Sequence, residues 1–120
     1  MRNWIAAELQ RLRNTSGWSW QGWRAAWVRE KSLRQWCLVN LVSAGFALAL
    51  DLTGGERALL LALGLLILVV ELLNSAIEET VDYISEAHDP RAGRAKDYGS
   101  AAVAVTAIAG GIAWLAILIG

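Results

Sequence analysis

The sequence is poor in the residues that staple or ligate small domains. One cysteine, Cys37, excludes an internal disulfide, and one histidine, His88, excludes a histidine-rich metal cage. A single proline, Pro90, leaves long segments with nothing to stop a helix. Charge is scarce too: 18% of the 120 residues are charged, against about 25% in an average soluble domain. Eleven Lys and Arg balance eleven Asp and Glu, and zero net charge argues against a nucleic-acid partner, which would want a basic face. Neither a GxxxxGK[ST] loop nor a glycine-rich kinase loop occurs, so any nucleotide must be held by another route.

What the chain has in excess is apolar surface, with 56% hydrophobic residues and a mean hydropathy of +0.39. Three long apolar stretches predict a small all-α membrane protein of one domain. The first runs from Trp36 to Leu50 and recruits Leu33 and Leu52, giving a span over 33–52. The second begins near Arg57, meets Glu71 and continues polar to about residue 85. The third, Ser100–Ile119, carries no charge for 20 residues and sits in a span over 95–119. A spanning helix needs roughly 20 apolar residues, so the third qualifies outright, the first if its polar ends snorkel, and the second if Glu71 lies within the bilayer region.

Seven of the eleven basic residues precede the first apolar stretch at Trp36, one (Arg57) lies between the first and second stretches, and three (Arg91, Arg94, Lys96) lie between the second and third. The positive-inside rule then puts the N-terminus and the 85–97 loop in the cytoplasm and the C-terminus outside. The first 35 residues hold no apolar run suited to a cleavable signal.

Residues 1–32 form a different material, rich in Arg, Gln and five of the seven tryptophans. Trp20, Trp23 and Trp27 recur at i, i+3, i+7 and share a helical face, the pattern of an amphipathic helix lying in the membrane interface. Thr15-Ser16-Gly17 suggests a break, with Ser19 capping the helix that follows.

The informative feature is a polar stripe in the second span: Glu71, Asn74, Ser75, Glu78 and Asp82. At about 100° per residue these positions return to within about 60° of Glu71, so all five share one face. A charge at the bilayer centre costs roughly 2.5–3.5 kcal/mol even on lenient scales, so the stripe must face partner helices or a wet cleft. Glu79 and Asp82 fit equally well as a helix emerging into water, and Asn74 and Ser75 as an interhelical hydrogen-bond seam. Neither account suits Glu71, which directly follows LLLALGLLILVV.

Glu30 is another carboxylate at the cytoplasmic boundary, and Lys96 and Asp97 approach the stripe from the third helix. Carboxylates without histidine or cysteine suit a hard cation such as Mg²⁺ held with the help of phosphates. Lys96 and the arginines can neutralise phosphate oxygens, and a glutamate shielded from water can serve as a general base. These are the parts of a phosphoryl-transfer site.

Three strings carry a resemblance: Gly22-Trp23-Arg24-Ala25-Ala26-Trp27 leading to Glu30, Val70-Glu71-Leu72-Leu73-Asn74-Ser75-Ala76-Ile77-Glu78, and Gly93-Arg94-Ala95-Lys96-Asp97 with Gly99-Ser100-Ala101-Ala102-Val103. With these, the chain resembles the prokaryotic diacylglycerol kinase family of small integral-membrane lipid kinases. The resemblance implies that ATP phosphorylates the primary hydroxyl of diacylglycerol, with Glu71 as general base and Asn74 and Lys96 also catalytic. It implies that Glu30 and Glu78 hold Mg²⁺ with the ATP, and that Arg11, Trp18, His88, Asp89, Lys96 and Asp97 contact the nucleotide. The family usually has a tyrosine at the position of Trp18 and a Tyr-His-Glu-like string at Ala87-His88-Asp89. Arg57 and Ser100 match lipid-contacting positions. A homotrimer with shared active sites, in the bacterial inner membrane and facing the cytoplasm, is also implied. The small residues Ala101, Ala102, Ala104, Ala107, Ala109, Gly110 and Gly111 would let the third span pack closely.

Two alternatives stay open. An undecaprenol kinase would share every catalytic residue and differ only in acceptor, though the GRAKDYGSAAV string looks more like the diacylglycerol branch. A small transporter or channel subunit would use Glu71 and Glu78 as an ion path and have no need of Lys96 or nucleotide.

Overall fold

A computed structural model describes residues 2–84 and 87–120. Four helices follow one another: α1 (Arg2–Arg29), α2 (Lys31–Ala49), α3 (Gly54–Ile84) and α4 (Pro90–Ile119), with no strand among the described residues. The chain divides into two compact units, Met1–Lys31 and Ser32–Gly120.

The first unit is one helix, and the expected break at Thr15-Ser16-Gly17 is absent. The hydroxyls that favour caps instead donate back into the helix: Thr15 Oγ1 to the Arg11 carbonyl at 2.8 Å, Ser16 Oγ to Leu12 at 2.8 Å, and Ser19 Oγ to Thr15 at 2.9 Å. Such i→i−4 bonds satisfy the hydroxyl without ending the helix, so Ser19 is an interior residue and caps nothing. Trp23 and Trp27 share a face as the spacing requires, with ring centroids 6.2 Å apart. The helix ends at Arg29, yet the Glu30 N–H still reaches the Ala26 carbonyl at 2.7 Å.

In the second unit, α3 and α4 are long and apolar enough to cross a membrane. Helix α2 is not among the helices that qualify, because Arg34, Gln35 and Asn40 dilute its 19 residues. At 1.5 Å per residue, 31-residue α3 and 30-residue α4 run for about 45 Å, well past a hydrocarbon core of roughly 30 Å. Their polar ends, at Glu78–Ile84 and Pro90–Asp97, have that excess length to occupy.

Local chemistry sets each end. Thr53 and Glu56 form a capping box: Thr53 Oγ1 accepts from the Glu56 N–H at 3.1 Å, and the Glu56 carboxylate accepts from the Thr53 N–H at 2.9 Å. Helix α4 begins at Pro90, five residues before the expected start at 95, because Asp89 caps it. The Asp89 carboxylate accepts from the Arg91 N–H at 2.8 Å, and Pro90 occupies the first turn, where a missing N–H costs nothing.

Helices α3 and α4 pack against each other along their length. Ala47, Leu60 and Ala113 form the apolar cluster near the α2–α3 turn, flanked by Leu52, Leu63 and Trp114. Apolar burial drives little association between helices in lipid, so close backbone approach and interhelical hydrogen bonds must hold the bundle. Both are present. The Asn40 amide of α2 lies against Gly64 of α3, and the Asn74 amide of α3 against Gly99 of α4; a Cβ at either glycine would overlap the amide oxygen. Trp114 Nε1 of α4 donates to Ser43 Oγ of α2 at 2.9 Å. At Gly110 and Gly111, two of the small residues expected to allow close packing, a Cβ meets nothing within 4 Å inside a single chain.

Candidate active site

The predicted stripe is the polar interior of the second unit. Glu71 is 5% exposed, Asn74 9% and Ser75 8%, the three buried polar residues among those described. They lie on one face of α3 with Leu60 and Ile67, so the face turned inward changes from apolar to polar at Glu71. Asn74 Nδ2 donates to Glu78 Oε1 at 3.4 Å, one turn towards the polar end. Another turn on, Asp82 Oδ1 accepts from Lys96 Nζ at 2.6 Å, closing α3 onto α4.

The arrangement therefore grades from a buried carboxylate, through an amide and a half-buried carboxylate, to an ion pair at the surface. Two carboxylates here, Glu71 and Glu78, lie 7 residues apart, about 10 Å along the helix axis. A general base needs reach to a hydroxyl, and shielding from water favours a proton-accepting carboxylate over an exposed one. The ammonium at the mouth offers a point charge for phosphate oxygens.

The other predicted residues belong to other parts of the chain. Asp97 and Ser100 are exposed on α4, on either side of the α3 contact at Gly99. Asp89 is committed to its cap and to Arg91, whose Nη2 lies 2.9 Å from its carboxylate; the guanidinium and the Arg91 N–H hold the carboxyl below its ordinary value. His88 is exposed beside it. Arg57 sits at the opposite end of α3, about 21 Å along the axis from Glu71. There its Nε donates to the Ala47 carbonyl at 2.8 Å and its Nη2 to Leu50 at 3.2 Å, satisfying the open end of α2. Arg11, Trp18 and Glu30 belong to the first unit: Arg11 pairs with Glu8 at 2.7 Å, Trp18 is exposed, and Glu30 follows the last turn of α1.

Among the described residues no three His, Cys, Asp or Glu side chains gather as a closed metal cage. Mg²⁺ does not require one, because it keeps several waters and takes one or two carboxylates plus substrate phosphates. Of the two carboxylates expected to hold it, Glu78 is half-buried on the stripe and Glu30 follows the last turn of α1, and carboxylate oxygens suit that ion. Sequence reasoning missed Gly99, whose bare backbone receives Asn74; its position inside the GRAKDYGS string drew attention to the charges beside it.

A helical bundle with two membrane-competent helices and a buried carboxylate stripe defines a class of small integral-membrane proteins with a polar site between helices. Comparison with known families places the chain within that class. The family described as prokaryotic diacylglycerol kinase matches residues 17–118. The diacylglycerol kinase of Pseudomonas aeruginosa is 48% identical over 114 residues, covering 93% of this chain and 91% of the relative. That of Escherichia coli is 42% identical over 108 residues, covering 90% and 88%, and that of Haemophilus influenzae 36% over 110, covering 92% and 93%. The chain belongs to the prokaryotic diacylglycerol kinase family: it is a membrane protein and a kinase.

Proposed function

We propose that the chain transfers the γ-phosphate of MgATP to the primary hydroxyl of diacylglycerol, giving phosphatidic acid and ADP, at the cytoplasmic face of the bacterial inner membrane. The observation that carries this reading is Glu71, a carboxylate 5% exposed that directly follows the apolar part of α3. A charge is costly at that depth, and a lipid hydroxyl arriving from the bilayer needs a base there.

In the proposed step the Glu71 carboxylate takes the proton of the lipid hydroxyl. The freed oxygen forms a bond to the γ-phosphorus, the bond from that phosphorus to the β–γ bridging oxygen breaks, and the electron pair leaves with ADP. Asn74 orients the carboxylates beside it, and Lys96 offsets charge on the transferring phosphoryl group. Arg11, Trp18, His88, Asp89 and Asp97 hold the nucleotide, and Arg57 and Ser100 the lipid. Glu30 and Glu78 are the ligands for Mg²⁺, which when bound screens the phosphate charge.

Three spans per chain, with α2 as the first, an N-in and C-out topology and a homotrimer complete the proposal. At 19 residues α2 is about 28 Å long, close to the hydrocarbon thickness. Large apolar side chains such as Leu41, Leu65 and Leu73 stand exposed along the bundle, and a symmetric assembly in lipid would cover them.

The test is ATP-dependent phosphate transfer by the detergent-solubilised protein, offered diacylglycerol and undecaprenol in parallel. Transfer to diacylglycerol supports the reading, and preference for the polyprenol replaces the acceptor while keeping the chemistry. Glu71→Gln should lower kcat by roughly 10²–10⁴, the usual worth of a general base, while the protein still assembles. Retention of more than a tenth of the activity removes Glu71 as the base.

A further inference from the structure

Gly99 is the residue of α4 that meets Asn74. Its position is buried, and a Cβ there would overlap Asn74 Oδ1, fall 3.2 Å from Asn74 Cγ and touch Ile77 Cδ1 at 3.6 Å. The other glycines within α4, Gly93, Gly110 and Gly111, have nothing within 4 Å of such an atom. The amide is thus held on one side by a hydrogen bond, from Nδ2 to Glu78 Oε1 at 3.4 Å. On the other side it is held by shape alone, because Asn74 Oδ1 is buried with no hydrogen-bond partner among the described residues.

An unpartnered buried oxygen is costly, and its side chain has only two torsions with which to escape. What keeps it in place is the bare backbone at Gly99, the one glycine within α4 against which a side chain lies. A methyl group at residue 99 collides with the far end of a rotatable side chain and not with backbone, so the amide turns away before the helices separate.

We propose that Gly99 is a positioning residue for the phosphoryl transfer: its missing side chain seats the Asn74 amide against Glu78. This rests on the proposed role of Asn74. Gly99 touches no reacting atom and acts only through that amide.

The test is a double-mutant cycle on the full chain in detergent, with MgATP and diacylglycerol and with the Mg²⁺ requirement measured for each variant. Asn74→Ala and Gly99→Ala should each lower kcat/KM at least tenfold and shift the half-saturating Mg²⁺ concentration in the same direction. The double variant should be no worse than threefold below the lower single, because one amide cannot be displaced twice. Gly110→Ala, with open space around it, should leave activity unchanged.

Losses that multiply in the double variant overturn the proposal, as does Gly99→Ala at wild-type kcat/KM while Asn74→Ala is impaired. Asn74→Ala at full activity instead removes the role of Asn74 on which the inference depends. If Gly99→Ala fails to fold, Asn74→Ala/Gly99→Ala decides: recovery of folding when the amide is removed locates the collision at Asn74, and failure places it elsewhere and refutes the proposal.

Discussion

Lys96 Nζ of α4 lies 2.6 Å from Asp82 Oδ1 of α3, and this ion pair closes the polar end of the two long helices. Both side chains are well exposed, so water screens the attraction and the pair does little to hold the bundle. Its consequence is positional: it keeps the ammonium at the Asp82 end of the stripe, one turn beyond Glu78. Lys96→Met should therefore lower kcat/KM for MgATP by about 10²–10³, the range for loss of one donor to developing charge. Asp82→Asn should raise KM for MgATP by a smaller factor. Both variants should melt in detergent close to the parent. A large and equal loss of melting temperature in both would make the pair structural and remove its role in the site.

Gly17 gives a cleaner stability prediction. It sits inside α1 with no atom within 4 Å of an added Cβ, and glycine in a helix interior is less favourable than alanine by about 0.8–1 kcal/mol. Gly17→Ala should stabilise α1 by roughly that amount, read as slower amide exchange in the turns around it. Faster exchange would mean that α1 bends at Gly17 as the sequence pattern suggests.

The misplaced break and the correctly placed stripe have different origins. Glu71, Asn74 and Ser75 were legible because helical spacing and the cost of charge in lipid point the same way, and the structure buries all three. Thr15 and Ser16 were ambiguous in principle, since one hydroxyl can cap a helix or bond back to the fourth residue before it. The start of α4 was written in Asp89-Pro90, a good cap followed by a good first residue, but the basic run beyond it suggested a loop. The contacts of Asn74 with Gly99 and Asn40 with Gly64 join residues far apart in sequence, and no local pattern encodes which glycine meets which amide.

Asp89 makes the cap of α4 sensitive to acid. Hydrogen bonds from the Arg91 side chain and then from its N–H lower the Asp89 carboxyl below its ordinary 3.8. A carboxylate whose folded value is depressed contributes stability above its unfolded value and loses it as pH falls through the folded one. The cap is complete at neutral pH and weakens progressively below about pH 4. Asp89→Asn keeps a side-chain acceptor for the Arg91 N–H and removes the charge, so the protection of the first α4 amides, taken relative to the intrinsic exchange rate at each pH, should become flat between pH 3 and 6. The same slope in Asp89→Asn as in the parent would assign the acid sensitivity to another group.

Trp114 separates hydrogen bonding from packing in the same bundle. Its indole N–H donates to Ser43 Oγ at 2.9 Å, and its ring lines a cavity of about 270 Å³ with Asn40, Gly64 and Thr106. Interhelical hydrogen bonds in membrane proteins average about 0.6 kcal/mol and rarely exceed about 1.7, because the unfolded chain in lipid also finds partners. Trp114→Phe, which keeps most of the ring and loses the donor, should thus cost at most about 1–2 kcal/mol. Trp114→Ala also removes the ring beside existing empty space, and truncating a packed aromatic costs about 3–5 kcal/mol where the surroundings cannot collapse. Reversible unfolding of both variants in mixed micelles checks the order. Equal losses would mean that the Ser43 contact, and not the ring, holds α4 to α2; a negligible loss in Trp114→Ala would mean that lipid or a neighbouring chain fills the space as well as the indole does.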